Sequence, residues 1–143
     1  MALPFTDREL RNAWRNLLHA AELCSSVSDN SKRLLLYYAV ECGLKAVWLK
    51  RHGKSVFGAS DVQGVGHDIC KLAKAFHVSH DSKSLSEIKL SSVKENKGST
   101  SRSCGIKELH QAWRYGGVCE SPNDGECEKE LLKLKEWIEQ ELK

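Results

Sequence analysis

Apolar positions recur every three or four residues through most of the chain, which is the spacing of α-helices. A first helix begins near Thr6, because Thr6-x-x-Glu9 fits the reciprocal hydrogen bonds of a capping box. Its apolar positions are Leu10, Ala13, Trp14, Leu17, Ala21 and Cys24. Residues 25–30 break the pattern and are predicted to form a turn, after which Ser31 is expected to cap the second helix.

The second predicted helix, residues 31–51, is apolar around most of its circumference and is therefore expected to be the buried centre of the fold. One oppositely charged pair, Glu41 and Lys45, interrupts it. Gly53 is expected to end it, because glycine readily adopts the left-handed conformation found after helix C-termini. Polar and aromatic residues share one face of this helix: Tyr37, Tyr38, Glu41, Lys45, Trp48 and His52.

Shorter elements are predicted in the middle of the chain. Residues 54–66 are rich in Gly and Ser and are expected to form a loop, after which Asp68 can cap a third helix. The apolar face of that helix would consist of Ile69, Leu72, Ala73 and Phe76. Residues 79–92 are ambiguous, although Ser84-x-x-Glu87 suggests a further short helix. Residues 94–105 are polar, basic and glycine-bearing, which is typical of disorder.

Two more helices are predicted in the last third of the chain. Ile106, Leu109 and Trp113 mark a fourth helix that ends at Gly116-Gly117, and residues 118–125 are expected to form a turn. A terminal helix carries one apolar stripe: Cys127, Leu131, Leu134, Ile138 and Leu142. The sequence contains no recognisable strand or repeat pattern. We therefore predict an all-α fold, an up-and-down bundle of about five helices forming one domain over residues 1–143.

Composition limits the classes of protein but does not change this prediction. A chain of 143 residues can bury a core without disulfides or metal. It has no apolar run of membrane-spanning length and no signal-peptide pattern, so we expect a cytoplasmic protein that does not bind membranes. The net charge of +3 conceals a basic middle, because residues 32–114 contain 15 Lys and Arg against 7 Asp and Glu. That excess suits an anionic partner and equally a solvated charged surface.

Six cysteines are present, and none belongs to a Cys-x-x-Cys pair. Three of them fall at apolar helical positions and are interpreted as core residues: Cys24, Cys42 and Cys70. A zinc site is conceivable from four later residues: Cys104, His110, Cys119 and Cys127. Their spacing matches no established zinc pattern, so reduced structural thiols are the favoured interpretation, and we expect no metal and no other cofactor.

Two motifs in the first half of the chain are candidate binding residues. Glu41 and Lys45 lie on a buried helix, where charges must be paired. They form either a structural ion pair at a helix or subunit contact, or one wall of a polar groove. His67 and Asp68 precede free amides at a helix start, where they either hold an anion, position a base or cap the helix.

A third motif closes the predicted fourth helix with Trp113-Arg114-Tyr115. A cation is favourable at a helix C-terminus by itself, and Arg beside aromatic rings also suits stacking and phosphate contact. His110 lies four residues before Arg114, on the same helix face. Such a pair is sufficient in principle for metal-independent RNA cleavage, with His moving a proton and Arg stabilising charge on the phosphate. No glycine-rich phosphate loop, HExxH or GxSxG motif is present.

In their order and spacing, these motifs resemble the HEPN superfamily, the "higher eukaryotes and prokaryotes nucleotide-binding" helical domains, over most of the chain. The segment AVECGLKAVWLK is similar to the second family helix, with Glu41 and Lys45 at the matching positions. The pair His67-Asp68 resembles the pair that opens the third family helix. Arg114-Tyr115 resembles the pair that precedes the last family helix. The segment CEKELLKLKEWIEQEL resembles that last helix itself.

The resemblance implies a helical bundle that commonly dimerises. Some HEPN domains are metal-independent ribonucleases of toxin–antitoxin, phage-defence and CRISPR-type systems, and they place an Arg four to six residues before a His. Others lack that motif and bind nucleotides, substrates or partner proteins. This chain departs from the nuclease pattern, because Arg102 and His110 are separated by seven residues and Ser103 to Gly105 interrupt the helix.

The function predicted from the sequence is therefore a non-catalytic HEPN-like module, a homodimer that binds a nucleotide, RNA or a protein partner encoded nearby in a prokaryotic stress or defence system. The predicted ligand-binding residues are Glu41, Lys45, His67, Asp68, Arg114 and Tyr115. One alternative is a metal-independent endoribonuclease in which His110 is the general acid or base and Arg114 or Arg102 stabilises the phosphate. The other is a structural or regulatory subunit whose second helix forms a dimer contact.

Overall fold

The computed structural model describes residues 3–23, 29–76 and 87–143. Its α-helices in these ranges are α1 Asp7–Leu23, α2 Asp29–His52, α3 Ala59–Val65, α4 Ile69–Ala75, α5 Leu109–Arg114 and α6 Asp124–Glu141. Its strands are β1 Phe5–Thr6, β2 Val56–Phe57, β3 Ile88–Glu95, β4 Gly98–Cys104 and β5 Cys119–Ser121. A 3-10 turn at Ile106–Glu108 leads directly into α5.

The prediction of an all-α fold is wrong, because two antiparallel sheets accompany the helices. β1 pairs with β2, which places Phe5 opposite Phe57. The second sheet has the strand order β4-β3-β5, so that β3 is its central strand. The chain is therefore a mixed α/β protein in which helices predominate.

Residues 94–105, which the sequence predicts to be disordered, contribute most of a β-hairpin. Asn96 and Lys97 form the turn between β3 and β4. Gly98 follows with a φ of 133°, a conformation that side chains other than glycine rarely adopt. Ile88 at the start of β3 is fully buried and pairs with Cys104. The helix suggested by Ser84-x-x-Glu87 falls outside the described residues except for Glu87, which precedes β3.

The helix α2 is the buried centre of the molecule, as predicted. α1, α4, α5 and α6 all pack against it. It ends at His52, and Gly53 follows with a φ of 61°, which confirms the predicted glycine stop. The helix begins at Asp29, so Ser31 lies within its first turn instead of preceding it. The rest of the turn predicted before it, residues 25–28, lies outside the described residues, as does Cys24.

The predicted faces of α1 and α6 are confirmed. The Glu9 amide donates to Thr6 Oγ1 at 3.1 Å and the Thr6 amide donates to Glu9 Oε1 at 3.0 Å, the two bonds of a capping box. Trp14 is buried against α2. The α6 stripe is buried at Cys127, Leu131, Leu134 and Ile138 and half-buried at Leu142.

The loop predicted over residues 54–66 contains β2 and α3 instead, and α3 is attached to α2 through the buried Asp61. Its Oδ1 accepts from Trp48 Nε1 at 2.9 Å and from Lys54 Nζ at 2.7 Å, and its Oδ2 accepts from the Gly58 amide at 2.9 Å. Burial opposes ionisation of this carboxyl, but the three hydrogen bonds outweigh it and lower its pKa to about 2. Asp61 is therefore an ionised anchor for α3.

We expect Asp61 to make the fold sensitive to acid. Its pKa falls from an ordinary 3.8 to about 2 on folding, so its contribution is complete above pH 4 and is lost as the pH falls through 2. The difference corresponds to about 2 kcal/mol. Urea unfolding at pH 5 and pH 2 should show a smaller pH dependence in Asp61→Asn than in the wild type. The same substitution at the exposed Asp29 should leave the pH dependence of unfolding as in the wild type. Equal pH dependence in Asp61→Asn and Asp29→Asn would contradict the anchoring role of Asp61.

Candidate functional site

A groove of about 530 Å³ lies where α2 meets the junction of α3 and α4 on one side and the start of α5 on the other. The side chains that line it are mostly polar, and they are Glu41, Val62, Val65, His67, Asp68, Lys71, Lys107, Glu108 and His110, with Gly66 beside them. A cavity of this size is within the usual range for small-molecule sites. Four of the six predicted ligand-binding residues lie at this groove or directly behind it.

Lys45 is the buried charge behind the groove, with only 6% of its surface exposed. Its Nζ donates to Glu41 Oε2 at 3.2 Å and lies 2.6 Å from His67 Nδ1. The ring centroid of Phe57 lies 5.4 Å from the same nitrogen. Because an ammonium can only donate, His67 Nδ1 accepts, and the proton of a neutral imidazole then sits on Nε2. The network therefore fixes the tautomer of an exposed histidine.

Asp68 begins α4, which confirms its predicted capping role. Its Oδ1 accepts from the Cys70 amide at 2.9 Å and from the Lys71 amide at 3.4 Å. Gly66, with a φ of 63°, reverses the chain between α3 and His67. A residue with a side chain would be strained in that conformation, so the glycine is what allows the imidazole to approach α2.

His110 forms the opposite side of the groove, on α5. Its ring centroid lies 5.2 Å from that of Tyr37 and 6.3 Å from that of Tyr38. Its Nδ1 atom is buried and makes no hydrogen bond to any part of the chain that the structure describes. The Tyr37 hydroxyl donates to the Ile106 carbonyl at 2.9 Å, which ties the start of α5 to α2. Burial raises the pKa of Tyr37, so this donor keeps its proton.

Arg114 and Tyr115 do not line the groove. The Arg114 guanidinium donates to the hydroxyl of Tyr38, which raises the Arg114 pKa, and it lies 5.9 Å from the centroid of the Tyr115 ring. Tyr115 is 78% exposed. Tyr38 therefore stands between these two residues and His110, and the pair forms a separate surface next to the groove.

Arg102, a nuclease candidate, has a structural contact in the sheet. Its Nε donates to the Ser91 carbonyl at 2.9 Å, and its Nη2 donates to the Ser91 hydroxyl at 3.3 Å. The β3–β4 pairing shifts between Leu90 and Val93, the position of a β-bulge. Arg102 therefore donates to the carbonyl of Ser91, which lies within the β-bulge. It does not line the groove that contains His110.

The sequence does not predict three charged residues that line the groove: Lys71, Lys107 and Glu108. Lys71 follows the Asp68 cap by three residues, and the other two lie in the 3-10 turn before α5. Only their nearness to Asp68 and His110 in the sequence could have indicated them. The groove thus combines two exposed lysines with three carboxylates, so it is a polar site of mixed charge and not a basic channel.

The described ranges contain no group of three or more His, Cys, Asp or Glu side chains arranged to hold a metal ion. Within the same ranges, no helix is both long and apolar enough to cross a membrane. Comparison of the chain with family models, curated proteins and solved structures found no match in any of the three. The function of the groove therefore has to follow from its own geometry.

Proposed function

We propose that the protein is a non-catalytic binding module that holds a nucleotide in this groove. The observation that supports the proposal is the buried ammonium of Lys45, held between Glu41 and His67 directly behind the groove wall. Burying a cation is unfavourable unless it is paired, and this one orients two side chains that face the groove. The fold therefore holds the polar side chains of Glu41 and His67 in fixed positions at the groove.

The charges of the groove suit a ligand with both neutral polar and anionic parts. The Glu41 carboxylate and the imidazoles of His67 and His110 offer acceptors and donors for the hydroxyl and base edges of a nucleoside. Lys71 and Lys107 are exposed at the rim and suit a phosphate. A uniformly anionic polymer fits less well, because three carboxylates line the same groove.

We also retain as a hypothesis the relation to the HEPN superfamily that the motifs imply. Lys45 makes direct contact with both Glu41 and His67, while Arg114 and Tyr115 lie on the adjoining surface. A homodimer, a partner protein encoded nearby and a cytoplasmic stress or defence setting belong to the same hypothesis.

Calorimetric titration with AMP, ATP and GTP tests the proposal. We expect at least one of them to bind, and the double variant Lys71→Gln/Lys107→Gln to weaken binding about tenfold or more, because hydrogen bonds to charged groups contribute roughly 1.5–3 kcal/mol each. Lys97→Gln, in the hairpin turn outside the groove, is the matched control. If no nucleotide binds the folded protein, or if the control weakens binding as much as the double variant, the proposal is wrong.

The position of His110 supports a second candidate function, metal-independent RNA cleavage. The His110 side chain lines the groove, and its Nδ1 atom is buried without a hydrogen-bond partner in the described chain. Incubation with RNA in EDTA, with His110→Ala as the control, separates the two functions. Cleavage that the variant loses would make the protein a nuclease, whereas nucleotide binding without cleavage would support the binding module.

The structural-subunit alternative receives less support. It requires the polar face of α2 to meet a second copy. In the structure Tyr37, Lys45 and Trp48 on that face instead bond to Ile106, His67 and Asp61 of the same chain.

A further inference from the structure

A second cavity, of about 300 Å³, lies between α1 and the end of α6. Its lining residues are Arg11, Trp14, Arg15, Glu139, Leu142 and Lys143. None of them lines the groove described above, so the cavity is a separate feature.

The apolar floor of this cavity is held in a fixed position. Trp14 is 5% exposed and rests directly on the α2 backbone at Gly43. A β-carbon built on Gly43 would lie 2.7 Å from Trp14 Cε3 and 2.8 Å from Ile138 Cγ2. Because contacts this close leave no free space beneath the indole, the ring cannot move towards α2, and only its small exposed fraction borders the cavity.

Positive charge surrounds the floor. Arg11 and Arg15 are one helical turn apart and therefore share a face of α1, where two like charges repel each other. Arg11 donates through its Nε to Asp7 at 2.9 Å. Arg15 donates to the Asn12 side-chain oxygen at 2.8 Å and has no carboxylate partner in the described ranges. Glu139 is the one side-chain carboxylate in the lining, and it lies 3.1 Å from Lys135 Nζ.

We propose that this cavity binds a small amphipathic carboxylate, with its apolar body over Trp14 and its carboxylate between Arg11 and Arg15. A planar guanidinium presents paired N–H donors that match a carboxylate, and an anion there would relieve the repulsion between the two arginines. A neutral ligand would gain only the apolar contact, and a cationic one would be repelled. The inference is independent of the nucleotide proposal, because it uses different residues.

The test is an NMR titration of the ¹⁵N-labelled protein with 4-phenylbutyrate, followed at the assigned indole N–H of Trp14. The matched ligand is 4-phenylbutan-1-ol, which has the same apolar body without the charge. We expect the carboxylate to shift the Trp14 resonance saturably and to bind about tenfold more tightly than the alcohol. Arg15→Gln should remove most of that difference, while Arg8→Gln, an exposed neighbour outside the cavity, should retain it.

Three results would overturn the inference. The first is a Trp14 resonance that does not move up to the solubility limit of 4-phenylbutyrate. The second is equal affinity for the carboxylate and the alcohol, and the third is an equal effect of Arg15→Gln and Arg8→Gln. Because Lys107→Gln affects only the groove, it should leave this titration unchanged, which keeps the two sites distinguishable.

Discussion

Replacing Glu41 with Gln should lower the free energy of unfolding by about 3 kcal/mol, whereas replacing Lys45 with Met should lower it by less than about 1 kcal/mol. The asymmetry follows from burial, because the Lys45 side chain is 8% exposed and that of Glu41 is 23% exposed. Loss of the negative charge leaves a buried ammonium whose partners, the His67 imidazole and the introduced amide, carry no counter-charge. Loss of the ammonium leaves a carboxylate that still reaches water, and Met fills the space of the lysine stem.

Urea unfolding of the two single variants and of Glu41→Gln/Lys45→Met measures this coupling. The double variant should be close in stability to Lys45→Met, since the carboxylate no longer stabilises the fold once the cation is gone. Glu139→Gln is the matched control, because Glu139 pairs with Lys135 at the same spacing but is 40% exposed. It should change stability by less than about 0.5 kcal/mol. Equal losses in Glu41→Gln and Glu139→Gln would show that Lys45 does not depend on its partner.

Alanine at Gly43 should destabilise the protein by about 2 kcal/mol, although alanine favours helices by about 1 kcal/mol over glycine. The added methyl group would approach the Trp14 ring and Ile138 more closely than real β-carbons do. Both neighbours are rigid, buried side chains, so the overlap can be relieved only by moving α1 or α6 away from α2. The core therefore requires glycine at the centre of its longest helix.

Gly64→Ala provides the comparison for this substitution. Gly64 lies within α3, is exposed, and has open space where its β-carbon would be. Here the same change should raise the melting temperature, through a gain of about 0.5–1 kcal/mol from helix propensity alone. Opposite signs of the two shifts in thermal unfolding are the expected result. A stabilising effect of Gly43→Ala would mean that α1 and α6 pack less tightly on α2 than the structure shows.

The longer helices could be predicted because local signals and packing agree in them. Thr6 and Glu9 form the predicted cap of α1, and Asp68 that of α4. The shared face of Glu41 and Lys45 follows from their four-residue spacing alone. The contact of Lys45 with His67 could be anticipated only through the family resemblance, since no rule of spacing links residues in different elements.

The sheet could not be predicted because its strands lack the alternating pattern that indicates them. Ile88 and Leu90 alternate, but the β-bulge shifts the next inward residue to Val93 and breaks the period. β4 is built from polar and small residues and is mostly exposed, so its sequence looks like a loop. The turn at Asn96-Lys97-Gly98 contains a glycine, but a glycine within a polar, basic stretch indicates a loop as readily as a hairpin.

The placement of α5 has a consequence for how the groove meets a ligand. The chain leaves the sheet at Cys104, passes through α5, and returns to the same sheet at Cys119, where β5 pairs with β3. Trp113 also donates from its indole nitrogen to Asp124, at the start of α6. The helix that carries His110 is therefore anchored at both ends and cannot swing as a lid. A ligand meets a preorganised wall, so little conformational entropy is lost on binding, and selectivity rests on the fit to one fixed shape.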